Sequence, residues 1–204
     1  MKEYPSVSKE IRNGVSIYAF DKIDGSNIRA EWGRKKKAFW KFGTRTQMID
    51  ETDPTFGEAV KIVKEKYEKD LHDIFMQNRY EKAMAFFEFH GNGSFAGRHL
   101  KEAHDVTLID VRVHKKGILL PQDYLKLFGN LDMAKLLYTG NANSEFEELV
   151  RNRQLEGMTF EGVICKGPYQ FPGQPLMFKI KSKEWLDKLK HYCDGCEIMY
   201  NKLS

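Results

Sequence analysis

Hydrophobic and polar positions alternate along several short stretches of this chain and follow a helical rhythm along fewer. From Val15 to Lys22 the alternation is loose. From Asn27 to Trp32 it is strict: Ile28, Ala30 and Trp32 share one face, and Asn27, Arg29 and Glu31 the other. Asp24-Gly25-Ser26-Asn27 between them is turn chemistry, which predicts a hairpin. A basic turn, Arg34 to Lys37, leads into an aromatic strand, Phe39 to Phe42. Residues 56–78 then carry Val60, Val63, Tyr67, Leu71 and Ile74 on one stripe at three- and four-residue steps, the mark of an amphipathic helix. Asp53-Pro54-Thr55 supplies its start signal. Strand character returns in Ala83 to His90 and in Val106 to Val113, with a Gly-rich loop, Gly91 to Gly97, between them.

The spacing predicts helices over 122–138 and 144–153, broken near Gly140-Asn141. Two strands follow, Phe160 to Lys166 and Leu176 to Lys181, split by a Pro/Gly loop from Gly167 to Pro175. Residues 183–203 form a last amphipathic helix. Strands dominate both halves and helices intervene without strict alternation. This predicts an α+β fold with mainly antiparallel sheets, and not a doubly wound parallel one.

Length and composition narrow the class. The 204 residues suit a single domain, and 41% hydrophobic with 13% aromatic content can fill a core. No apolar run reaches the roughly 18–20 residues of a membrane span. The first residues carry no apolar signal region, so a cytoplasmic protein is expected. Three cysteines, Cys165, Cys193 and Cys196, do not describe a disulfide framework and fit a reducing compartment. A formal charge of +4 with 30% charged residues is compatible with a polyanionic partner only through local clustering.

Three features carry chemistry. Lys22-Ile-Asp-Gly-Ser-Asn27 sets a lysine at a strand end before a tight turn. It reads either as a surface lysine beside a turn or as a positioned nucleophile, which would need a lowered pKa. In Met177-Phe-Lys-Ile-Lys181, period two puts Lys179 and Lys181 on one face and Phe178 and Ile180 on the other. Such a pair either guards a solvated edge or binds phosphate. Glu88 and Glu161 each interrupt an apolar strand. A buried carboxylate there demands a ligand, a metal or a cationic partner. The Arg34 to Lys37 run, with Trp40 and Phe42 nearby, is either a solvated turn or a nucleic-acid contact. Cys193 and Cys196 share an apolar stripe with Trp185, Leu189 and Tyr192, so they read as core and not as a zinc knuckle. Gly91 to Gly97 lacks the Gly-Lys-Ser/Thr ending of a P-loop. His99 and His104 lack ligand spacing, and a surface role is expected.

Taken in order, these pieces resemble the motifs of the covalent nucleotidyltransferase superfamily of ligases and mRNA-capping enzymes. Lys22-Ile-Asp-Gly25 resembles the nucleotidyl-lysine motif, and Thr44-Arg45-Thr46 the arginine motif that contacts ribose. Glu88-Phe-His-Gly91 resembles the third motif, and Leu108-Ile-Asp-Val111 the strand behind adenine, with Ile109 in the stacking position. Glu161-Gly-Val-Ile164 and Lys179-Ile-Lys181 resemble the fourth and fifth. Asn27, five residues after the lysine, is similar to RNA ligases that seal nicks, where DNA ligases usually have arginine. Asp21 stands where that branch often has glutamate, near the adenine edge.

The resemblance implies a nucleotidyltransferase (adenylation) domain of ligase type spanning 1–204, with no OB domain. It implies an ATP-dependent RNA ligase with Mg2+ or Mn2+ as metal. Lys22 would take AMP and pass it to a 5′-phosphate, which a 3′-hydroxyl then attacks. Lys179 and Lys181 would hold the α-phosphate and lower the pKa of Lys22 through their field. Glu161 would anchor the metal, and Glu88 and Arg45 the ribose. Asp21, Ile23, Gly25, Asn27 and Ile109 would border the nucleotide, while Asp24 would bond within the turn or approach the metal. The expected partner is a nicked RNA or DNA duplex, engaged by a monomer without a membrane, in an RNA-repair setting; small stand-alone ligases of this kind are common in phages. The alternatives are a compact DNA ligase, an adenylation domain that needs a partner, a guanylyltransferase, or a non-catalytic nucleic-acid-binding domain.

Overall fold

The computed structural model describes residues 1–93 and 101–204; His99 and the second half of the Gly91 to Gly97 loop lie outside the described residues. Two antiparallel sheets face each other across a cleft. The six-stranded sheet has the order β4-β3-β2-β5-β6-β7, and the four-stranded sheet the order β10-β9-β1-β8. Their strands are β1 (Ser16–Lys22), β2 (Ser26–Gly33), β3 (Ala38–Gly43), β4 (Met48–Ile49), β5 (Lys82–His90), β6 (Asp105–Val113), β7 (Gly117–Ile118), β8 (Leu136–Asn141), β9 (Gly162–Phe171) and β10 (Gln174–Lys181). The helices are α1 (Gly57–Gln77), α2 (Pro121–Phe128), α3 (Ser144–Arg151), α4 (Lys183–Tyr192) and α5 (Glu197–Leu203). The α+β expectation with antiparallel sheets holds. Among the described residues, no helix is long and apolar enough to cross a membrane.

Period two decides which side of each sheet is apolar. Ile28, Ala30 and Trp32 of β2 and Ala83, Ala85 and Phe87 of β5 turn towards α1, whose Val60, Val63, Tyr67, Leu71 and Phe75 complete the main core. The predicted stripe of α1 is the one observed, with half-buried Ile74 at its margin. Asp53 Oδ1 accepts from the amides of Thr55 (3.0 Å) and Phe56 (2.8 Å), which fixes the entry to the helix. Behind the four-stranded sheet, Ile17, Ala19, Val163, Cys165, Phe178 and Ile180 pack with Phe146 and Val150 of α3 in a second core. The chain is therefore layered: α1, large sheet, cleft, small sheet, α3.

Four expectations are corrected. The turn after Lys22 does not make a hairpin, because β1 and β2 lie in different sheets and the turn carries the chain across the cleft mouth. It can do so tightly because Gly25 has no Cβ; one would lie 2.2 Å from the Phe89 carbonyl oxygen. The predicted 122–138 helix stops at Phe128, and Leu136 to Asn141 is an edge strand on β1. Pairing along β1 overrides local propensity there, helped by Tyr138 and Thr139, which favour strands. The 183–203 helix is two helices, α4 and α5, separated by a turn with Asp194 at φ 42° and Gly195 at φ 79°. That turn buries Cys193 but leaves Cys196 exposed, so only the first is core. Of the two aromatics near the Arg34 to Lys37 turn, Phe42 is buried against α1 and Trp40 is 42% exposed.

One register row positions the site. Lys22 of β1 and Lys181 of β10 both pair with Gly162 of β9, so the two lysines flank a residue without a side chain. Gly162 has φ 147°, and a Cβ there would sit 2.0 Å from the Ile180 carbonyl oxygen. Gly162→Ala should therefore destabilise the fold by about 1–3 kcal/mol or more. Urea unfolding measures this, and an unchanged midpoint would contradict the row.

Candidate active site

The cleft between the sheets opens as a cavity of about 460 Å3. Lys22, Ile23, Gly25, Asn27, Arg45, Glu88, Ile109, Lys179 and Asp21 all border it. With Ile164, residues from all six proposed motifs, dispersed over most of the chain, meet around one space, although Asp24, Glu161 and Lys181 do not themselves line it. Arg45 is exposed at the rim, where its carbonyl accepts from Arg29 at 3.5 Å. Asn27 Nδ2 donates to the Phe87 carbonyl at 3.3 Å, which ties the strand after the turn to β5. Ile109 protrudes for a backbone reason: Phe86 pairs with Asp110 and Phe87 with Leu108, so Ile109 is the extra residue of a β-bulge. Asp21 Oδ1 accepts the Thr159 amide at 2.9 Å, and burial raises its pKa against that hydrogen bond.

Charge converges on Glu161. Its Oε2 accepts from Lys22 Nζ at 2.7 Å and its Oε1 lies 2.9 Å from Lys181 Nζ. The three side chains are 5%, 21% and 7% exposed for Glu161, Lys22 and Lys181 respectively, so screening is weak. Burial by itself would lower the Lys22 pKa. Glu161, Glu88 and Asp24 outweigh it and hold the ammonium above its ordinary value. The expectation that the neighbouring lysines depress it is overturned in this state: carboxylates face Lys22 more closely than cations do. Lys181 is lowered, by burial and by Lys22 against the pull of Glu161. Lys179 falls to about 8, through burial and then Lys181, Lys22 and Lys9. Glu88 rises to about 8, mainly through burial, with Glu161 and Asp24 adding to it and Lys22 opposing. Asp24 is buried beside this group and contributes to its field.

The two ends of the chain reach the same place. The Lys179 amide donates to the Ser8 carbonyl at 2.8 Å, so residues 4–9 run along β10 and help wall the cavity. Lys181 Nζ also donates to the Leu203 carbonyl at 2.9 Å and lies 3.6 Å from the Trp185 ring centroid. Ser182 caps α4 by accepting from the Trp185 amide (3.1 Å) and donates to the Phe160 carbonyl (2.7 Å).

Two bordering residues, Tyr4 and Lys166, and the buried Asp110 that both touch escaped the sequence reading. Lys166 Nζ donates to the Ile109 carbonyl and to Asp110 Oδ2, both at 2.9 Å, and Tyr4 donates to the same Oδ2 at 3.0 Å. Lys166 and Asp110 are nearly inaccessible, at 3% and 0%. This ion pair fixes the bulge that carries Ile109 and closes the back of the cavity. The argument applied to Glu88, a charge inside an apolar strand, would also have found Asp110 and Lys166. Tyr4 sits in an irregular segment with no periodic signal.

Among the described residues, no three His, Cys, Asp or Glu side chains form a ready metal cage. Glu161 is an inner carboxylate with both oxygens on cations. Such a donor fits a hard divalent ion that takes its other ligands from phosphate oxygens and water.

No family model and no curated protein matches this sequence. Solved structures do. A glutamate-to-alanine mutant of the Naegleria gruberi RNA ligase with AMP and Mn matches 92% of this chain and 58% of its own, at TM-score 0.65 and 16% identity. A lysine-to-alanine mutant of that ligase with ATP and Mn matches 91% and 59%, at TM-score 0.61 and 16% identity. An archaeal ATP-dependent RNA ligase matches 95% and 52%, at TM-score 0.67 and 15% identity. The chain has the nucleotidyltransferase fold of ATP-dependent RNA ligases. It spans a little over half the length of those solved structures. Within this nucleotidyltransferase fold the cavity is the inter-sheet cleft.

The Glu88 shift has a testable sign. Its folded pKa of about 8 lies above the ordinary carboxylate value, so its carboxyl adds to stability at low pH and loses that contribution as pH rises through about 8. Glu88→Gln should therefore raise the melting temperature of the nucleotide-free protein more at pH 9 than at pH 6. An equal increment at both values would contradict the burial of this carboxyl.

Proposed function

We propose that this chain is the nucleotidyltransferase domain of an ATP-dependent RNA ligase, with Lys22 as its nucleophile. The observation that carries the reading is the row Lys22–Gly162–Lys181, with Glu161 held between two amines beside the cavity that Lys22 and Lys179 border. A lysine at a strand end, lysines along the same sheet face and carboxylates opposite suit attack on a phosphorus atom that gathers negative charge.

The first step forms a bond from Lys22 Nζ to the α-phosphorus of ATP and breaks the α–β bridging P–O bond, releasing pyrophosphate. Lys22 must first lose its proton. In this structure Glu161 keeps it charged. Release of Glu161 removes the main group holding that proton; Glu88 and Asp24 still favour the charged form, Lys179 and Lys181 oppose it, and the proton leaves to solvent. Lys179 and Lys181 then steady the charge on the phosphoryl oxygens. Glu161 would hold Mg2+ or Mn2+, which would supply positive charge to neutralise the triphosphate. Ile109 packs on the base, and Glu88 and Arg45 face the ribose. Asp21, Ile23, Gly25 and Asn27 border the nucleotide, and Asp24 orders the turn.

AMP then passes from Lys22 to a nucleic-acid 5′-phosphate, and attack by the 3′-hydroxyl releases AMP. Asn27 favours a nicked RNA duplex as substrate. The free cysteines fit a reducing cytoplasm, where the chain acts as a monomer.

Incubation with α-labelled ATP and Mg2+ should give a labelled protein, and Lys22→Ala should abolish the label. Lys179→Ala should slow labelling by on the order of 10²–10³. Labelling of Lys22→Ala at the parent level would end the proposal. Offering each labelled nucleotide, then nicked duplexes with ribose or deoxyribose at the 3′ end, separates the RNA-ligase reading from DNA sealing and guanylyl transfer.

Because attack needs neutral Lys22 and its pKa is raised, adduct formation should climb as pH rises from neutral into the alkaline range. A flat profile would show that another group limits the step.

A further inference from the structure

A second groove, of about 530 Å3, lies at the far end of the six-stranded sheet. Lys2, Lys82, Arg112, Lys115 and Lys116 border it, and its carboxylate, Glu31, is 2.9 Å from Lys82 Nζ. Strand register explains why the charges gather. Gly33 pairs with Lys82 and Val113 with Ala83, so the β2–β3 and β6–β7 turns and the start of β5 share one end of the sheet. The exposed Lys35, Lys36 and Lys37 belong to that same end.

The groove and the nucleotide cavity occupy one face. Asn27 pairs with Glu88 and Glu31 with Met84, and alternation keeps these pairs on the side away from α1. The first pair borders the cavity and the second the groove. Met1 and Tyr4 lie between: the Met1 carbonyl accepts from Arg29 at 3.4 Å, and Tyr4 meets the Phe86 ring at 5.0 Å. The eight residues of β2 measure about 25 Å from one end to the other. That is roughly seven base-pair steps at the ~3.4 Å rise of a B-form duplex, and a step or two more in A-form RNA.

We propose that this groove is a second nucleic-acid contact, holding the sugar–phosphate backbone of one duplex arm about seven base pairs from the nick. It rests on the nucleic-acid half of the proposed function and is independent of the adenylylation half. The cations sit on short turns and a strand end, so their spacing is set by the sheet. With Glu31 committed to Lys82, the remaining charge faces solvent and fits a polyanion.

The test compares the parent with the triple variant Lys2→Gln, Lys115→Gln, Lys116→Gln, none of which touches the cavity. ATP labelling should be unchanged. Affinity for a nicked RNA duplex should fall, and the slope of log affinity against log salt should shrink by about 2–3, at ~0.7–0.9 per lost contact. Arg at the same three positions should restore both. Trimming one arm of the duplex below about seven base pairs should weaken the parent and leave the triple variant unaffected. A triple variant with the parent's affinity and salt slope would overturn the groove. Loss of labelling in both proteins, with the salt difference intact, would overturn adenylylation and leave the groove standing.

Discussion

A single buried carboxylate shared by two ammonium groups organises this protein. Glu161 is reached by Lys22 from one strand and by Lys181 from another. Charges so far from water are costly unless paired, and removing one partner leaves the others uncompensated. The arrangement exists because both lysines register on Gly162, which lets three strands come together without a side chain in the middle. The Ser182 amide then donates to the Glu161 carbonyl at 2.9 Å, so the cap of α4 is tied to the residue that joins the lysines.

The two sheets oppose each other in charge as well as in space. The small sheet turns Lys22, Lys166, Lys179 and Lys181 towards the cleft, while the large sheet presents Glu88 and Asp110. Where the sheets close, opposite charges pair directly, as Lys166 does with Asp110. Where they stay apart, the charges are left around a cavity, and their pKa values move: Lys179 down to about 8 and Glu88 up to about 8. Both shifts arise chiefly from burial. Groups shifted in this way, in a cleft and beside one another, are the pattern that marks a candidate functional site. Lys22 is the exception. Burial would lower its pKa, but Glu161, Glu88 and Asp24 hold it above the ordinary value.

The main chain aims these groups through irregularities. A bulge pushes Ile109 forward, and the ion pair of Lys166 and Asp110 holds it there. The Gly25 turn crosses between sheets. The N-terminal segment lies along β10 and α5 sets the Leu203 carbonyl on Lys181, so both chain ends border the site. Each feature is a local departure from ideal geometry beside the chemistry.

The sequence alone determined the alternation that sorts β2 and β10 into two faces, and the stripe of α1. These depend on local period, which residue order contains in full. It also marked Lys22, Lys179, Lys181, Glu88 and Glu161, because charge inside an apolar strand is conspicuous. Tertiary structure decided what order does not encode. Pairing along β1 made a strand of Leu136 to Asn141 where spacing predicted helix, and strand partners sent the Gly25 turn to another sheet. The charge state of Lys22 was likewise decided in space. Sequence shows two lysines that would depress it, but only folding reveals that Glu161, 139 residues away, sits closer. Coulomb energy follows distance through space, and chain order does not contain that distance.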